Sequence, residues 1–132
     1  MRIRGAVADA LVEHARAEAP LECCGLLIGS AGRIDESCPA GNTRGSEVAF
    51  LVDPAAHFAA IRKARASGRA VVGAYHSHPR SPAVPSPTDI REANDPDLLQ
   101  VIVSLAEPDR PVVRAYRIGY DGFVEVTLEV EP

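Results

Sequence analysis

Two short stretches hold the residue types best suited to chemistry: His76-Ser77-His78-Pro79 and, after six residues, Ser86-Pro87-Thr88-Asp89. The apolar run Val71-Val72-Gly73-Ala74-Tyr75 leads straight into the histidines and reads as a buried strand. Residues i and i+2 of a strand share a face, so His76 and His78 present two imidazoles to one point in space. Pro79 has no N–H to donate and ends the ladder there. Asp89 offers a carboxylate from the far end of a proline-rich loop. Two histidines, one aspartate and an open fourth position suit a catalytic Zn²⁺ ion, one per chain. A simpler reading stands beside this one. His-x-His fits two unrelated strand-end residues, and Ser86 to Asp89 is a good helix start, with Ser at N-cap, Pro at N1 and an acid at N3. The two readings are compatible, because a helix N-terminus also fixes a carboxylate in space.

These residues need elements to hold them. Residues Ile3 to Ala19 read as a helix with Val7, Leu11 and Ala15 on one stripe, ended by Pro20. His14 is an ordinary residue of that helix. Cys23 to Ile28 reads as a buried strand followed by a turn at Gly29-Ser30 and Gly32. Glu22 stands at its mouth, either as a solvated strand-end carboxylate or as a group placed for chemistry; the segment alone favours the former. Arg33 to Cys38 completes a hairpin, Pro39 to Gly45 is a loop, and Val48 to Val52 a short strand. Asp53-Pro54 opens a second helix, closed at Gly68, with His57 a packing or surface residue. Ile90 to Asn94 is a short helix or turn. Leu98 to Leu105, interrupted only by Gln100 and Ser104, is a strand. Val112 to Ile118 and Phe123 to Val130 are two more, joined by a turn at Gly119-Tyr120-Asp121-Gly122. The alternation of Val124 to Val130 places the last strand near an edge. The expected fold is α/β: a mixed sheet of about six strands flanked by helices.

A length of 132 residues suits one domain, residues 1–132. With 46% hydrophobic and 24% charged residues the composition is that of a globular protein, and no apolar run nears the roughly 20 residues of a membrane span. Met1 to Gly5 lacks a signal-peptide h-region, which predicts a cytoplasmic protein that does not engage membrane. A net charge of −4 argues against nucleic acid as a partner. Cys23, Cys24 and Cys38 form no C-x-x-C pair and read as small buried hydrophobes, with a redox pair involving Cys38 the lesser option.

Glu22, then His76-Ser77-His78-Pro79, six residues, and Ser86-x-x-Asp89 resemble the signature of the JAMM (MPN+) zinc metalloproteases. Pro20-Leu21-Glu22-Cys23-Cys24-Gly25-Leu26-Leu27, and Asn42 followed by Phe50-x-x-Asp53-Pro54, resemble its short prokaryotic branch. The resemblance implies a JAMM/MPN domain, cytidine deaminase-like in fold. It implies His76, His78 and Asp89 as zinc ligands, Glu22 as general base and then acid, and Ser86 as hydrogen-bond donor to the oxyanion. Ser77, on the opposite strand face, takes a structural role. The implied activity is hydrolysis of peptide or isopeptide bonds at the C-terminus of a ubiquitin-like or sulfur-carrier protein. The extended Gly-Gly tail of such a carrier would pair with a sheet edge beside the metal. A homodimer is compatible with all of this. The rival reading is a non-proteolytic metal-binding MPN interaction module. A deaminase would need P-C-x-x-C, which the chain lacks.

Overall fold

The computed structural model describes residues 1–47, 51–93, 95–119 and 122–132. Within them the order is β1 (Arg2–Arg4), α1 (Gly5–Glu18), β2 (Cys24–Ser30), β3 (Arg33–Ala40), α2 (Pro54–Ala66), β4 (Ala70–His78), α3 (Pro87–Glu92), β5 (Leu99–Ser104), β6 (Val112–Gly119), β7 (Gly122–Val126) and β8 (Glu129–Glu131). The strands form one sheet in the order β7-β6-β5-β4-β2-β3-β1-β8. It is mixed: β4 runs parallel to β5, and β1 parallel to both β3 and β8, while the other neighbours are antiparallel.

The two central strands are buried along nearly their whole length, which is why Cys24 to Ile28 and Gly73 to Tyr75 read as unbroken apolar runs. Period-two alternation then sorts their side chains onto two faces. Leu27 and Tyr75 pack on one face with Val7, Leu11 and Ala15 of α1. Leu26, Ile28 and Ala74 pack on the other with Ala60 and Ala64 of α2. Each fully buried Leu or Ile contributes about 1.5–3 kcal/mol relative to exposure. Gly25 faces Tyr75 across the β2–β4 ladder and has no room for a side chain: a Cβ there would lie 2.6 Å from the Cys38 carbonyl oxygen and closer still to the Tyr75 ring. α2 begins as its sequence implies, with the Asp53 carboxylate accepting from the Ala55 amide and Pro54 at the first turn. Gly68, at φ 70°, follows its C-cap.

Five expectations need correction. The sheet has eight strands among the described residues, not about six. Pro39 and Ala40, expected in a loop, belong to β3, where they pair with Gly25 and Cys24. Residues 2–4 belong to a strand, not to the first helix: Ile3 is fully buried between exposed Arg2 and Arg4, and its partners in β3 and β8 are far away in sequence. Strand β2 runs through Gly29 and Ser30, and the turn starts after them. The stretch Phe123 to Val130 is two strands, broken at Thr127-Leu128, and these form the two opposite edges of the sheet. That strand was expected near an edge, and both halves are at one. Of the short strand expected at Val48 to Val52, residues 48–50, which include Phe50, lie outside the described residues. Val52 makes one antiparallel bridge to Asn42. Asn94, and Tyr120 and Asp121 of the expected hairpin turn, lie outside them as well. No helix of the described residues is long and apolar enough to cross a membrane.

Candidate metal centre

Alternation along β4 sends Ser77 to the α1 face and His76 and His78 together to the other, where both rings are buried. The chain leaves the sheet at Pro79, crosses a loop of residues 79–85 and re-enters order at Ser86. There Ser86 Oγ accepts from the Asp89 amide at 3.0 Å, while Asp89 Oδ2 accepts from the Ser86 amide at 2.9 Å. This reciprocal cap starts α3 and aims the Asp89 carboxylate. The same oxygen lies 3.1 Å from His76 Nε2 and 3.0 Å from His78 Nε2, and the two nitrogens are 3.2 Å apart. So the helix cap at Ser86 to Asp89 and a carboxylate aimed at the two histidines coexist in one geometry.

The donor set can be tested for fit to a cation. His78 Nδ1 lies 2.8 Å from the Pro82 carbonyl oxygen, which can only accept, so Nδ1 carries the hydrogen. In a neutral ring the Nε2 lone pair then points at an ionised carboxylate. Two acceptors at 3.0 Å repel unless a positive centre lies between them. Ligands about 2.0–2.1 Å from a tetrahedral zinc are themselves about 3.3 Å apart, close to the separations found here. The three residues also form a group whose ligating atoms all lie within 4.8 Å of one another. The residues fit the ion.

The titration behaviour follows from the same contacts. Burial works against the Asp89 carboxylate, but its hydrogen bonds to His76, His78 and the Ser86 amide outweigh this and hold it well below the usual carboxylate range. Burial pushes His76 down, with Asp89 only partly opposing. For His78, burial is outweighed by Asp89 and the Pro82 carbonyl, and its pKa rises. The ionised Asp89 and the raised His78 favour a positive charge at the point where the three side chains meet, while burial favours the neutral His76 ring.

Glu22 lies just before β2. Cys24 pairs with His76, and the Ser77 amide donates to the Cys23 carbonyl at 3.0 Å, so the ladder carries Glu22 to the level of His78. Its side chain is buried, with Oε1 lacking a hydrogen-bond partner among the described residues. Burial pushes its pKa up to about 7, with His78 drawing it down and Asp89 adding to the rise. This is a buried acid beside the cluster of His76, His78 and Asp89, not the solvated strand-end residue that the segment alone favoured. Its backbone is tied on both sides: the Glu22 amide donates to the Ser46 carbonyl at 2.8 Å, and Asn42 Nδ2 donates to the Glu22 carbonyl at 3.0 Å. Asn42 Oδ1 in turn accepts from the Arg44 and Leu51 amides. Asn42 was visible in the sequence only through a resemblance; its work here is to hold the loop that holds Glu22.

A cleft of about 290 Å³ opens beside the cluster, with His76 and Asp89 in its wall. Leu26, Leu51, Val52, Ala74, Leu98 and Phe123 make it largely apolar, with His57, Glu92, Asp95 and Gln100 among its polar groups. Glu92 and Asp95 carried no sequence signal of their own, and Gln100 only that of a polar residue interrupting an apolar strand. His14 pairs with the Tyr75 hydroxyl at 2.8 Å inside the α1 face, and so takes no part in the site. Cys23 and Cys24 are buried, Cys38 is half-buried, and all three are free. Among the described residues β4 lies between β2 and β5, so the strand that carries His76 and His78 is not itself a sheet edge.

Comparison with known proteins adds to this geometry. The chain is 36% identical to the CysO-cysteine peptidase of Mycobacterium tuberculosis over 124 residues, covering 92% of this chain and 84% of that one. It is 34% identical to the desampylase of Haloferax volcanii over 130 residues, covering 93% and 91%. The solution structure of a protein from Desulfitobacterium hafniense superposes with a TM-score of 0.91 at 35% identity, covering 99% of this chain and 93% of the other. The family described as prokaryotic homologs of the JAB domain matches residues 5–119. With its sheet, capped carboxylate and paired histidines in this arrangement, the chain belongs to that family.

Proposed function

We propose that this chain is a cytoplasmic, single-domain zinc peptidase that hydrolyses the peptide or isopeptide bond at the C-terminal Gly-Gly tail of a small ubiquitin-like or sulfur-carrier protein. One observation carries the reading: His76 Nε2, His78 Nε2 and Asp89 Oδ2 converge within 3.2 Å of one another, with the buried Glu22 beside them. The two curated relatives, named for cleaving a CysO–cysteine bond and for desampylation, support the substrate class.

His76, His78 and Asp89 would hold the ion. A zinc ion held there would supply Lewis-acid chemistry, polarising a carbonyl and making water more acidic, toward a pKa of about 7. Glu22, poised near the same value by burial, takes a proton from the water whose oxygen bonds to the scissile carbon, and delivers it to the amine nitrogen as the C–N bond breaks. Ser86 keeps its hydroxyl hydrogen available, because Oγ is an acceptor in the cap, and that hydrogen is the donor for the developing oxyanion. The apolar cleft takes the extended tail and excludes water from one side of the reacting bond.

The test is incubation of the zinc-loaded protein with a carrier–amino-acid conjugate and a carrier–lysine isopeptide, read by intact mass spectrometry. Release of the carrier ending in Gly-Gly, abolished in Glu22→Gln, is the expected result. Zinc binding with both conjugates left intact would refute it and make the chain a metal-binding interaction module.

A further inference from the structure

The loop between the histidines and α3 is held in an unusual way. Three consecutive carbonyls, of Ser81, Pro82 and Ala83, each accept a hydrogen bond from a side chain on a different strand. The Ser104 hydroxyl of β5 donates to Ser81 O at 2.6 Å. His78 Nδ1 of β4 donates to Pro82 O at 2.8 Å. The Tyr116 hydroxyl of β6 donates to Ala83 O. The outer two donors are themselves fixed. Ser104 is buried and its Oγ also accepts from the Ala106 amide at 3.1 Å. Tyr116 is packed with Ile102 and Ala83, and its ring stacks on Phe123 at 6.3 Å between centroids.

We propose that Ser104 and Tyr116 are positioning residues for His78: by pinning the carbonyls on either side of Pro82 they present the Pro82 oxygen to Nδ1–H, which fixes the ring's tautomer and aims Nε2 at the metal point. This rests on the zinc-peptidase reading and extends it to two residues that touch neither metal nor substrate. The argument is one of direction. A lone carbonyl on a seven-residue surface loop would sample many orientations, and the imidazole could then place its hydrogen on either nitrogen. With its neighbours clamped, and with Pro79, Pro82 and Pro85 each restricting φ, the middle carbonyl has one direction left. The Val84 amide also donates to Pro82 O, at 2.8 Å, closing the turn around it. The strand base is equally fixed, since the Leu105 amide donates to the His78 carbonyl at 3.1 Å. Outer partners of this kind typically change metal affinity about 10–100-fold when removed.

Tyr116→Phe and Ser104→Ala, singly and together, test the proposal. Val113→Ala, a β6 change on the α1 face, controls for lost stability. Two readouts are taken: zinc affinity by competition with a chromophoric chelator, and the His78 tautomer by long-range ¹H–¹⁵N NMR of the metal-free protein at a pH where the ring is neutral. The expected result is a single Nδ1–H tautomer in wild type, a mixture in the variants, and about 10–100-fold weaker zinc binding in the double variant. The proposal is overturned if the double variant keeps both the tautomer and the affinity. It is overturned equally if Val113→Ala weakens zinc binding as much. Should the double variant not fold, Tyr116→Phe decides by the same readouts. Wild-type protein that binds no zinc would remove the peptidase reading, and the tautomer measurement would still decide this one.

Discussion

Ser77 sits between the two histidines yet faces away from them, and replacing it by Ala isolates what that other face does. Its side chain is fully buried, and Oγ accepts a hydrogen bond from the Cys23 amide at 2.8 Å. Alanine removes the acceptor and leaves a buried N–H with no partner on that side. The exchange also deletes one small oxygen, so little cavity cost is added. A buried donor left unsatisfied costs about 1–3 kcal/mol. For a chain of this length the unfolding entropy near the midpoint is on the order of 0.28 kcal/mol/K, so Ser77→Ala lowers Tm by about 4–11 °C. Urea titration followed by circular dichroism should show a lower midpoint with an unchanged slope, since the surface exposed on unfolding is the same. Zinc stoichiometry should stay at one per chain, because the hydroxyl points away from the ligand cluster. A Ser77→Ala midpoint equal to wild type would refute the reasoning: the Cys23 amide would then be satisfied without Ser77. Loss of zinc at unchanged stability would refute it from the other side, by placing Ser77 in the metal centre.

Zinc at about a thousand times its Kd should stabilise the native state by about 4 kcal/mol and raise Tm by roughly 15 °C. Calorimetry with and without chelator measures this, and His78→Ala should abolish the shift. The Glu22 carboxyl, raised from 4.5 to about 7, remains protonated in the folded metal-free protein while its unfolded counterpart ionises. The folded state therefore binds more protons between those values, and wild type loses stability relative to Glu22→Gln as pH rises from 4.5 to about 7, then no further. Paired denaturant titrations across that range give the difference directly, and a flat difference would show that Glu22 is not perturbed. Gly25→Ala should lower stability by about 1–3 kcal/mol, because the new methyl meets the Cys38 carbonyl, which a side-chain adjustment cannot move away. An unchanged urea midpoint for that variant would contradict the close approach of β2 to β3 and the Tyr75 ring.

The legible part of this protein is the part written in local pattern. Alternation alone places His76 and His78 on one face, and Ser86-Pro87 with Asp89 three residues on announces a capped helix; both are present in the structure. Asp53-Pro54 and Gly68 bound α2 for the same local reasons. What was hidden depends on partners remote in the chain. Arg2-Ile3-Arg4 has alternation too short to stand out beside a strong helix, and becomes a strand because β3 and β8 flank it. The pairing of Phe123 to Val126 with β6 and of Glu129 to Glu131 with β1 cannot be read from an alternation that runs unbroken across both. Glu22 looked like a strand-end residue because the groups that act on it, His78, Asp89 and the Ser46 carbonyl, are remote in the chain. Ser104 did leave a trace, as a polar residue interrupting an apolar strand, but its reason is a carbonyl 23 residues away.

The split of the last segment has a geometric consequence. Eight strands laid flat at about 4.8 Å spacing would span roughly 34 Å from the first to the last. Yet β7 and β8, the outermost two, are joined only by Thr127-Leu128, and three virtual bonds reach about 11 Å at most. The sheet must therefore curl into a hoop around α1, with a short peptide as its clasp. The clasp is reinforced where it closes: the terminal ammonium of Met1 donates to the Thr127 carbonyl, and the Glu129 amide donates to the Met1 carbonyl. Met1 is thus fastened to Thr127 and Glu129, and β4 with its histidines lies in the middle of the strand order, away from this junction. Cutting between Val126 and Glu129 would remove the covalent link between the two rims, leaving β7 held by its ladder to β6 and β8 by its ladder to β1.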